Sequence, residues 1–231
     1  MDHDLPERIF ADPVWHALET THRGFAVSLG DARRYPSDIA PFGAVARPTA
    51  PALNQLRSLL ARGESMWIFG QGHPRVRGLL FEQTVECFQM LLPETAALPT
   101  LNDEVRKLPD ESSSEMVELT SLAFPGFFRD KTCQMGSYYG VRSDGKLIAM
   151  GGERMMLENY VEISAVCTHP GYRGRGYASS IIGQLAGDHR RDGLTSWLHV
   201  SCENRNAIEL YLRLGFKIVH KIAVSQFSRQ E

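Results

Sequence analysis

The chain has 231 residues, a formal net charge of −2 and a hydrophobic fraction of 43%. This hydrophobic content is sufficient for a folded core and excludes a disordered chain. Basic residues form no cluster interleaved with aromatic residues, so the chain lacks the pattern of a nucleic-acid-binding protein. No apolar run approaches the ~18–20 residues that span a bilayer, and we expect no membrane partner.

The cysteines are far apart and form no CxxC pair; they are Cys87, Cys133, Cys167 and Cys202. This spacing argues against a zinc site or a disulfide scaffold, and we expect no metal cofactor. The first twenty residues include several charged side chains, so they lack the apolar core of a signal peptide. These features predict a cytoplasmic protein.

Composition changes near residue 100. Nine of the 12 prolines lie in the first hundred residues, and all five lysines lie after them. The segment 93–109 combines prolines with Asn102 and Asp103, which is typical of a linker. We therefore predict two domains, residues 1–100 and residues 101–231. The first is a smaller α+β domain that shapes the substrate site or binds a partner, because it carries no catalytic motif.

In the first domain, hydrophobic periodicity predicts helices over 14–21 and 52–61. It also predicts a strand over 65–69 and an interrupted strand over 77–92. We interpret Trp67 as a packing residue rather than a ligand.

The second domain opens with a helix from Ser112, capped by a serine hydroxyl, to about residue 123. Asp144-Gly145 predicts a hairpin turn, because both positions tolerate positive φ. The remaining elements are strands over 138–141, 146–151, 160–168 and 195–200, helices over 177–190 and 205–214, and a final strand after Gly215. This order predicts an α/β fold with a mixed sheet and helices packed on its faces.

The most informative stretch is the loop Arg173-Gly174-Arg175-Gly176, which follows a strand and opens a helix. Glycines at such a joint let backbone N–H groups approach an anion, and the helix dipole favours negative charge there. The sequence GxxxxGK[ST] of a P-loop is missing. A dinucleotide-binding fingerprint is also missing, since Ser179 stands where its last glycine belongs. The pattern R-x-x-G-x-A remains, formed with Ala178.

Two neighbouring segments extend this pattern. The strand from Glu162 to Pro170 leads into the loop, and the segment from Asn204 to Phe216 reads N-x-x-A-I-x-L-Y-x-x-L-G-F. Over residues 101–231 the sequence therefore resembles the GNAT superfamily of N-acetyltransferases. The resemblance implies the GNAT acyl-CoA N-acyltransferase fold, and the first hundred residues carry only a faint similarity to it.

The resemblance implies acetyl-CoA as co-substrate, with its pantetheine arm between the fourth and fifth strands and its pyrophosphate on the glycine loop. The implied cofactor contacts are Val166, Cys167, Thr168, Arg173, Gly174, Arg175, Gly176, Tyr177, Ala178, Ser179 and Asn204. Asn204 also fits a helix N-cap, and the two roles are compatible. All these motifs follow the linker, so we expect residues 101–231 to bind acetyl-CoA without the first domain.

The reaction implied is direct attack of a neutral amine on the thioester. Tyr211 matches the family's usual proton donor to the departing thiolate, although it also lies on an apolar helical stripe. Glu162 and His199 match positions where family members carry a base, and Glu153 is a weaker third candidate. We favour Glu162, because strand alternation places it on one face with Val166.

These assignments predict an N-acetyltransferase whose partner is a primary amine on a small molecule or peptide. Two alternatives stay open: a domain that senses acyl-CoA without turnover, and transfer of a longer acyl group or to an oxygen acceptor. Homo-oligomer formation and the identity of the acceptor are not determined by the sequence.

Overall fold

The computed structural model describes residues 7–230, with side chains from Ile9 onward. Its helices are α1 (Glu7–Ala11), α2 (Pro13–Glu19), α3 (Ala50–Ser58), α4 (Ser113–Ser121), α5 (Tyr177–Arg191) and α6 (Arg205–Arg213). Its strands are β1 (Val27–Leu29), β2 (Ala32–Arg34), β3 (Phe42–Val45), β4 (Ser65–Phe69), β5 (Leu79–Leu91), β6 (Arg106–Leu108), β7 (Tyr138–Ser143), β8 (Lys146–Leu157), β9 (Tyr160–Thr168), β10 (Thr195–Ser201) and β11 (Lys217–Arg229). Within the described residues, none of the helices is long and apolar enough to cross a membrane.

The strands form one eleven-stranded sheet in the order β1-β2-β3-β4-β11-β5-β10-β9-β8-β7-β6. Two neighbouring pairs are parallel, β3 with β4 and β9 with β10, and the other pairs are antiparallel. Each parallel pair is joined through a helix, α3 in the first case and α5 in the second. The predicted mixed α/β sheet is confirmed.

The two halves of the chain exchange strands at the centre of this sheet. Strand β5, from the first hundred residues, lies between β10 and β11, and β11 pairs with both β5 and β4. The predicted boundary near residue 100 therefore does not divide the sheet into two separate bodies. Residues 101–231 alone would lack the strand that joins β10 to β11.

The halves also share a core. Phe10, Trp67, Met155 and Trp197 belong to one buried cluster, and the rings of Phe10 and Trp197 meet edge to face at 4.9 Å. A second cluster lies beneath α5 and α6 on the opposite face of the sheet. Close-packed interiors of this kind fix neighbouring elements rigidly. The shared core therefore fixes the position of the β3–β4 pair relative to the β9–β10 pair.

Most predicted elements match the observed ones within a few residues, and β4 and β9 have the predicted bounds. Asp144 and Gly145 both have positive φ, at 48° and 78°, as the hairpin turn requires. Gly215, with φ at 91°, ends α6 as expected.

Two expectations about local structure are wrong. The segment 77–92 contains a single continuous strand, because β5 is paired along its length with β11. Ser112 gives α4 no side-chain cap, since its hydroxyl accepts a hydrogen bond from Arg142 at 3.2 Å. The short strands β1, β2, β3 and β6 were not predicted, because runs of three or four residues show no alternation.

Candidate active site

Strands β9 and β10 separate at their carboxyl ends. They pair only from Tyr160 to Glu162, opposite Thr195 to Trp197. Beyond that point Ala165 has φ at 55°, and the register between β8 and β9 shifts. A β-bulge of this kind bends the strand and disrupts the pairing next to it. The backbone of β9 after the bulge therefore presents a free edge toward β10.

The bulge changes which side chains of β9 lie on the same face of the sheet. Ile163 and Val166 both pack into the cluster beneath α5, although three positions separate them. Glu162 lies on the other face, where it contacts Arg154 and His199. Strict alternation would place Glu162 and Val166 on the same face, and that expectation is wrong because the bulge at Ala165 inserts an extra residue.

A cavity of about 490 Å³, here called the inner cavity, fills the gap between the two strands. One side of it is formed by β9, β10 and α6 through Ser164, Ala165, Val166, Val200, Ser201, Asn204, Ala207 and Tyr211. Its opposite wall is mostly aromatic and comes partly from the first half of the chain: Phe42, Trp67, Phe69, Phe124 and Phe127. Both halves thus build this cavity.

The glycine loop leads from β9 into α5. Gly174 and Gly176 have φ at 78° and 80°, and a Cβ added to either would meet no protein atom within 4 Å. Positive φ favours glycine, and the open space leaves the loop accessible to a ligand. Gly176 is the N-cap of α5 and gives no side-chain hydrogen bond to the helix. The first amides of α5 are therefore free to bind an anion.

Two arginines flank this loop. Arg173 donates from Nε to the carbonyl of Thr168 at 3.3 Å, and the guanidinium of Arg175 lies 5.1 Å from the ring of Tyr172. Their charges complement the partial positive charge of the helix N-terminus. Open amides and flanking guanidinium groups together favour the binding of an anion.

Asn204 and Tyr211 line the side of the inner cavity formed by β9, β10 and α6. The side-chain oxygen of Asn204 accepts a hydrogen bond from the amide of Ala207 at 3.2 Å, which confirms the N-cap and leaves its NH₂ group to donate elsewhere. Tyr211 is 9% exposed and packs against Phe216 in the cluster beneath α5 and α6. Burial raises the pKa of Tyr211 to about 12, so its phenol stays protonated at neutral pH.

Glu162 is fully buried and ion-paired. Arg154 donates to both of its oxygens, through Nε at 2.9 Å and Nη2 at 2.5 Å. Burial by itself would raise the pKa of Glu162, but the charges and hydrogen bonds of Arg154 and His199 together outweigh it and lower the pKa to about 2. A carboxylate held in this way is a weak proton acceptor, which argues against Glu162 as the base.

His199 has a partner at each ring nitrogen. Nδ1 lies 2.7 Å from Glu162, and Nε2 lies 3.0 Å from the amide nitrogen of Gln89, which also donates to the carbonyl of Phe10. Because Gln89 donates, we assign the proton of the neutral ring to Nδ1. Burial lowers the pKa of His199, with Glu162 opposing. Neither nitrogen is left to accept a substrate's proton.

Glu153, the third candidate base, lies elsewhere. Its carboxylate contacts Nε2 of His189 at 3.1 Å and the amide of Ser137 at 2.8 Å, and it does not line the inner cavity. Arg154 and Gln89 were missed in the sequence. Regular pairing about the turn at 158–159 would set Met155 across from Glu162, and the register shift between Glu153 and Met156 brings Arg154 there instead. The sequence therefore contains no local signal for Arg154.

Comparison with known proteins identifies the family. A family model described as the acetyltransferase (GNAT) family matches residues 100–216, half of the chain. The chain belongs to the GNAT family of acetyltransferases. No functionally curated protein matches its sequence.

Solved GNAT structures match nearly the whole chain. A putative GNAT acetyltransferase from Novosphingobium aromaticivorans is 30% identical with a TM-score of 0.86, covering 96% of this chain and 99% of that one. A GCN5-related N-acetyltransferase from Kribbella flavida is 15% identical, with a TM-score of 0.64 and coverage of 99% and 97%. A tandem GNAT protein of the clavulanic acid biosynthesis pathway is 14% identical, with a TM-score of 0.53 and coverage of 81% and 75%. The GNAT fold thus extends beyond the residues matched by the family model.

Proposed function

We propose that this GNAT protein transfers the acetyl group of acetyl-CoA to a primary amine, without an acyl-enzyme intermediate. The observations that carry the proposal are three features: the open amides at the start of α5, the free edge of β9, and Tyr211 in the inner cavity. We infer that together they form a path for a cofactor.

Acetyl-CoA fits this path at both ends. Its pyrophosphate would bind the amides of residues 174–179, with Arg173 and Arg175 at the rim. Its pantetheine arm would pair with the free edge of β9 through the backbone of Val166, Cys167 and Thr168. The unused NH₂ group of Asn204 would donate to the same arm.

Tyr211 is the proposed proton donor. The amine nitrogen attacks the thioester carbonyl, the C–S bond breaks, and the departing thiolate takes the phenolic proton. Because burial keeps Tyr211 protonated, the proton is present when the thiolate forms. Cys167 and Cys202 are packing residues in this proposal, since burial raises the pKa of both thiols.

We propose that Glu162 and His199 position the aromatic wall of the inner cavity, here called the acceptor wall, and that water removes the amine's proton. Glu162 fixes Arg154, whose guanidinium lies 4.9 Å from the ring of Phe42, and it fixes His199 against Phe69, with ring centroids 4.9 Å apart. Acceptor kcat/KM should then rise with pH along the acceptor's own pKa.

The test measures binding and turnover separately. Calorimetry with acetyl-CoA reports the cofactor site, and release of free CoA in the presence of a panel of amines reports acetyl transfer. Octanoyl-CoA in the same assay distinguishes a longer acyl donor. Tight acetyl-CoA binding without CoA release for any amine would contradict the enzyme proposal and favour a sensor.

A further inference from the structure

A second pocket lies directly behind the acceptor wall. This outer pocket has a volume of about 610 Å³ and shares Trp67, Gln83 and Phe127 with the inner cavity. The rings of Trp67 and Phe127, 5.3 Å apart, form most of the shared wall. A molecule that reaches past these rings from the site of acyl transfer would enter the outer pocket.

The outer pocket is lined by two charged residues, Glu64 and Arg129, and the charge of Arg129 contributes to lowering the pKa of Glu64. Both oxygens of Glu64 are engaged by the guanidinium of Arg34, and one of them also accepts from the amide of Ala61 at 2.7 Å. Arg34 and Glu64 therefore neutralise each other. Arg129 lines the same pocket, and its Nε is buried with no hydrogen-bond partner among residues 7–230. A buried N–H without a partner is costly, and an anionic ligand in the outer pocket would compensate the charge of this guanidinium.

The inner cavity has complementary chemistry. Its one charged lining residue within the described chain is Arg154, which is already ion-paired with Glu162. A second ammonium group on the acceptor would find no free carboxylate there. The aromatic side chains of Phe42, Phe69 and Phe127 instead suit an apolar or aryl group.

From these observations we propose that the acceptor is an anionic amine with an apolar body. Its amino group lies toward Val166 and Tyr211, its apolar body contacts Trp67 and Phe127, and its carboxylate or phosphate binds Arg129. This inference rests on the proposed N-acyltransferase function and names the substrate class of that site.

The test compares acceptors that differ only in the distal group. The carboxylates are 4-(aminomethyl)benzoate and the longer 4′-(aminomethyl)biphenyl-4-carboxylate, each paired with the counterpart that has methyl in place of carboxylate. A phosphonate analogue distinguishes the two anion types. At one of the two lengths we expect the anionic acceptor to have a kcat/KM at least tenfold above its neutral counterpart, since hydrogen bonds to charged groups have about this effect.

Two variants locate the effect. Arg129→Gln should lower kcat/KM for the anionic acceptor roughly 10–100-fold, mainly through KM, and leave the neutral acceptor and acetyl-CoA unchanged. Arg62→Gln removes the same charge from a nearby exposed residue that does not line the pocket, and it should change nothing. Equal losses for anionic and neutral acceptors in Arg129→Gln would overturn the inference.

Binding separates this inference from the proposed function. Fluorescence titration of the same amines in the presence of CoA needs no turnover. Preferential binding of the anionic amine that is lost in Arg129→Gln, without CoA release, would support the anion site and count against acetyl transfer. Acetyl transfer or binding with no preference for the anionic amines would overturn the anion site alone.

Discussion

Each half of the chain contains a parallel strand pair joined by a helix, and the two helices start differently. At α3, the hydroxyl of Thr49 accepts from the amide of Ala52 at 3.4 Å, and Pro51 has no amide hydrogen to offer. At α5, Gly176 leaves the first amides without a side-chain cap. Helix α3 is therefore capped by its own sequence, whereas the N-terminal amides of α5 stay open to an anion. The topology is therefore shared, but an anion cradle occurs at α5 and not at α3.

The halves also differ after their second parallel strand. Strand β10 is followed by α6, which carries Asn204 and Tyr211, whereas β4 is followed by a turn at Gly70 and then β5. The first half consequently contributes Trp67 and Phe69 to the aromatic wall of the inner cavity. In the proposed function, the two halves would then divide the binding of the two substrates between them.

The largest expected effect comes from separating the halves. A chain of residues 101–231 lacks β5, so β10 and β11 lose their shared neighbour and expose unpaired edges. The sequence alone predicts acetyl-CoA binding by this fragment. Because the fragment lacks β5, we expect instead no cooperative unfolding transition and no acetyl-CoA binding by calorimetry. Adding residues 1–100 as a separate chain should restore both. A cooperatively folded, acetyl-CoA-binding fragment would show that the exchanged strand is dispensable.

Substitution of Tyr211 should have the next largest effect, a loss of turnover. Tyr211 lies on α6, which follows β10, whereas β4 in the first half is followed by a turn. Tyr211→Phe keeps the ring and its packing, and turnover should fall roughly 10²–10⁴-fold with little change in acetyl-CoA affinity. Tyr172→Phe removes a hydroxyl from outside the inner cavity and serves as the control. Turnover close to wild type would leave Tyr211 with a packing role only.

Each half also holds an arginine–glutamate pair, and their burial differs. Glu162 is fully buried with Arg154, whereas the side chain of Glu64 is 21% exposed beside Arg34. Removing one partner of a buried pair costs about 3–5 kcal/mol. Urea unfolding should therefore show a larger loss of stability for Glu162→Gln than for Glu64→Gln. Equal losses of stability in Glu162→Gln and Glu64→Gln would show that burial does not determine the cost of removing the carboxylate.

The same pair predicts an acid dependence of stability. The pKa of Glu162 is about 2 when folded, against a usual 4.5, a difference of about 3 kcal/mol at neutral pH. A lowered pKa stabilises the fold above pH 4.5, and this contribution is lost as pH falls from about 4.5 to 2. Wild-type stability should decline in that window more steeply than that of Glu162→Gln, as measured by urea unfolding at several pH values.

The smallest expected effects test the helix starts themselves. Gly176→Val should weaken acetyl-CoA binding at least tenfold, because the side chain blocks the amides. Gly193→Val is matched for backbone strain, since Gly193 has φ at 72° at the other end of α5 and equally open surroundings. Thr49→Ala should cost about 1 kcal/mol of stability and leave binding unchanged. Equal affinity losses in the two glycine variants would assign the effect to strain.

The sequence predicted what depends on local patterns. The bounds of β9, the glycine loop and the end of α6 at Gly215 follow from periodicity and glycine placement, and the observed elements agree. The strand exchange was not predictable, because pairing of β5 with β10 and β11 joins segments distant in the chain. The bulge at Ala165 escaped as well, since alanine gives no local signal for positive φ. Because the bulge was not predicted, Glu162 was wrongly placed on the same face as Val166.

The exchanged strand also constrains how the chain is made. Gln89 in β5 and His199 in β10 are 110 positions apart, so β5 leaves the ribosome long before either of its neighbours. Until then it has two unpaired edges, which are templates for aggregation. Contacts this distant in sequence slow folding. Completion of the sheet therefore waits for β11, and β5 lacks both of its partners while the chain between them is made.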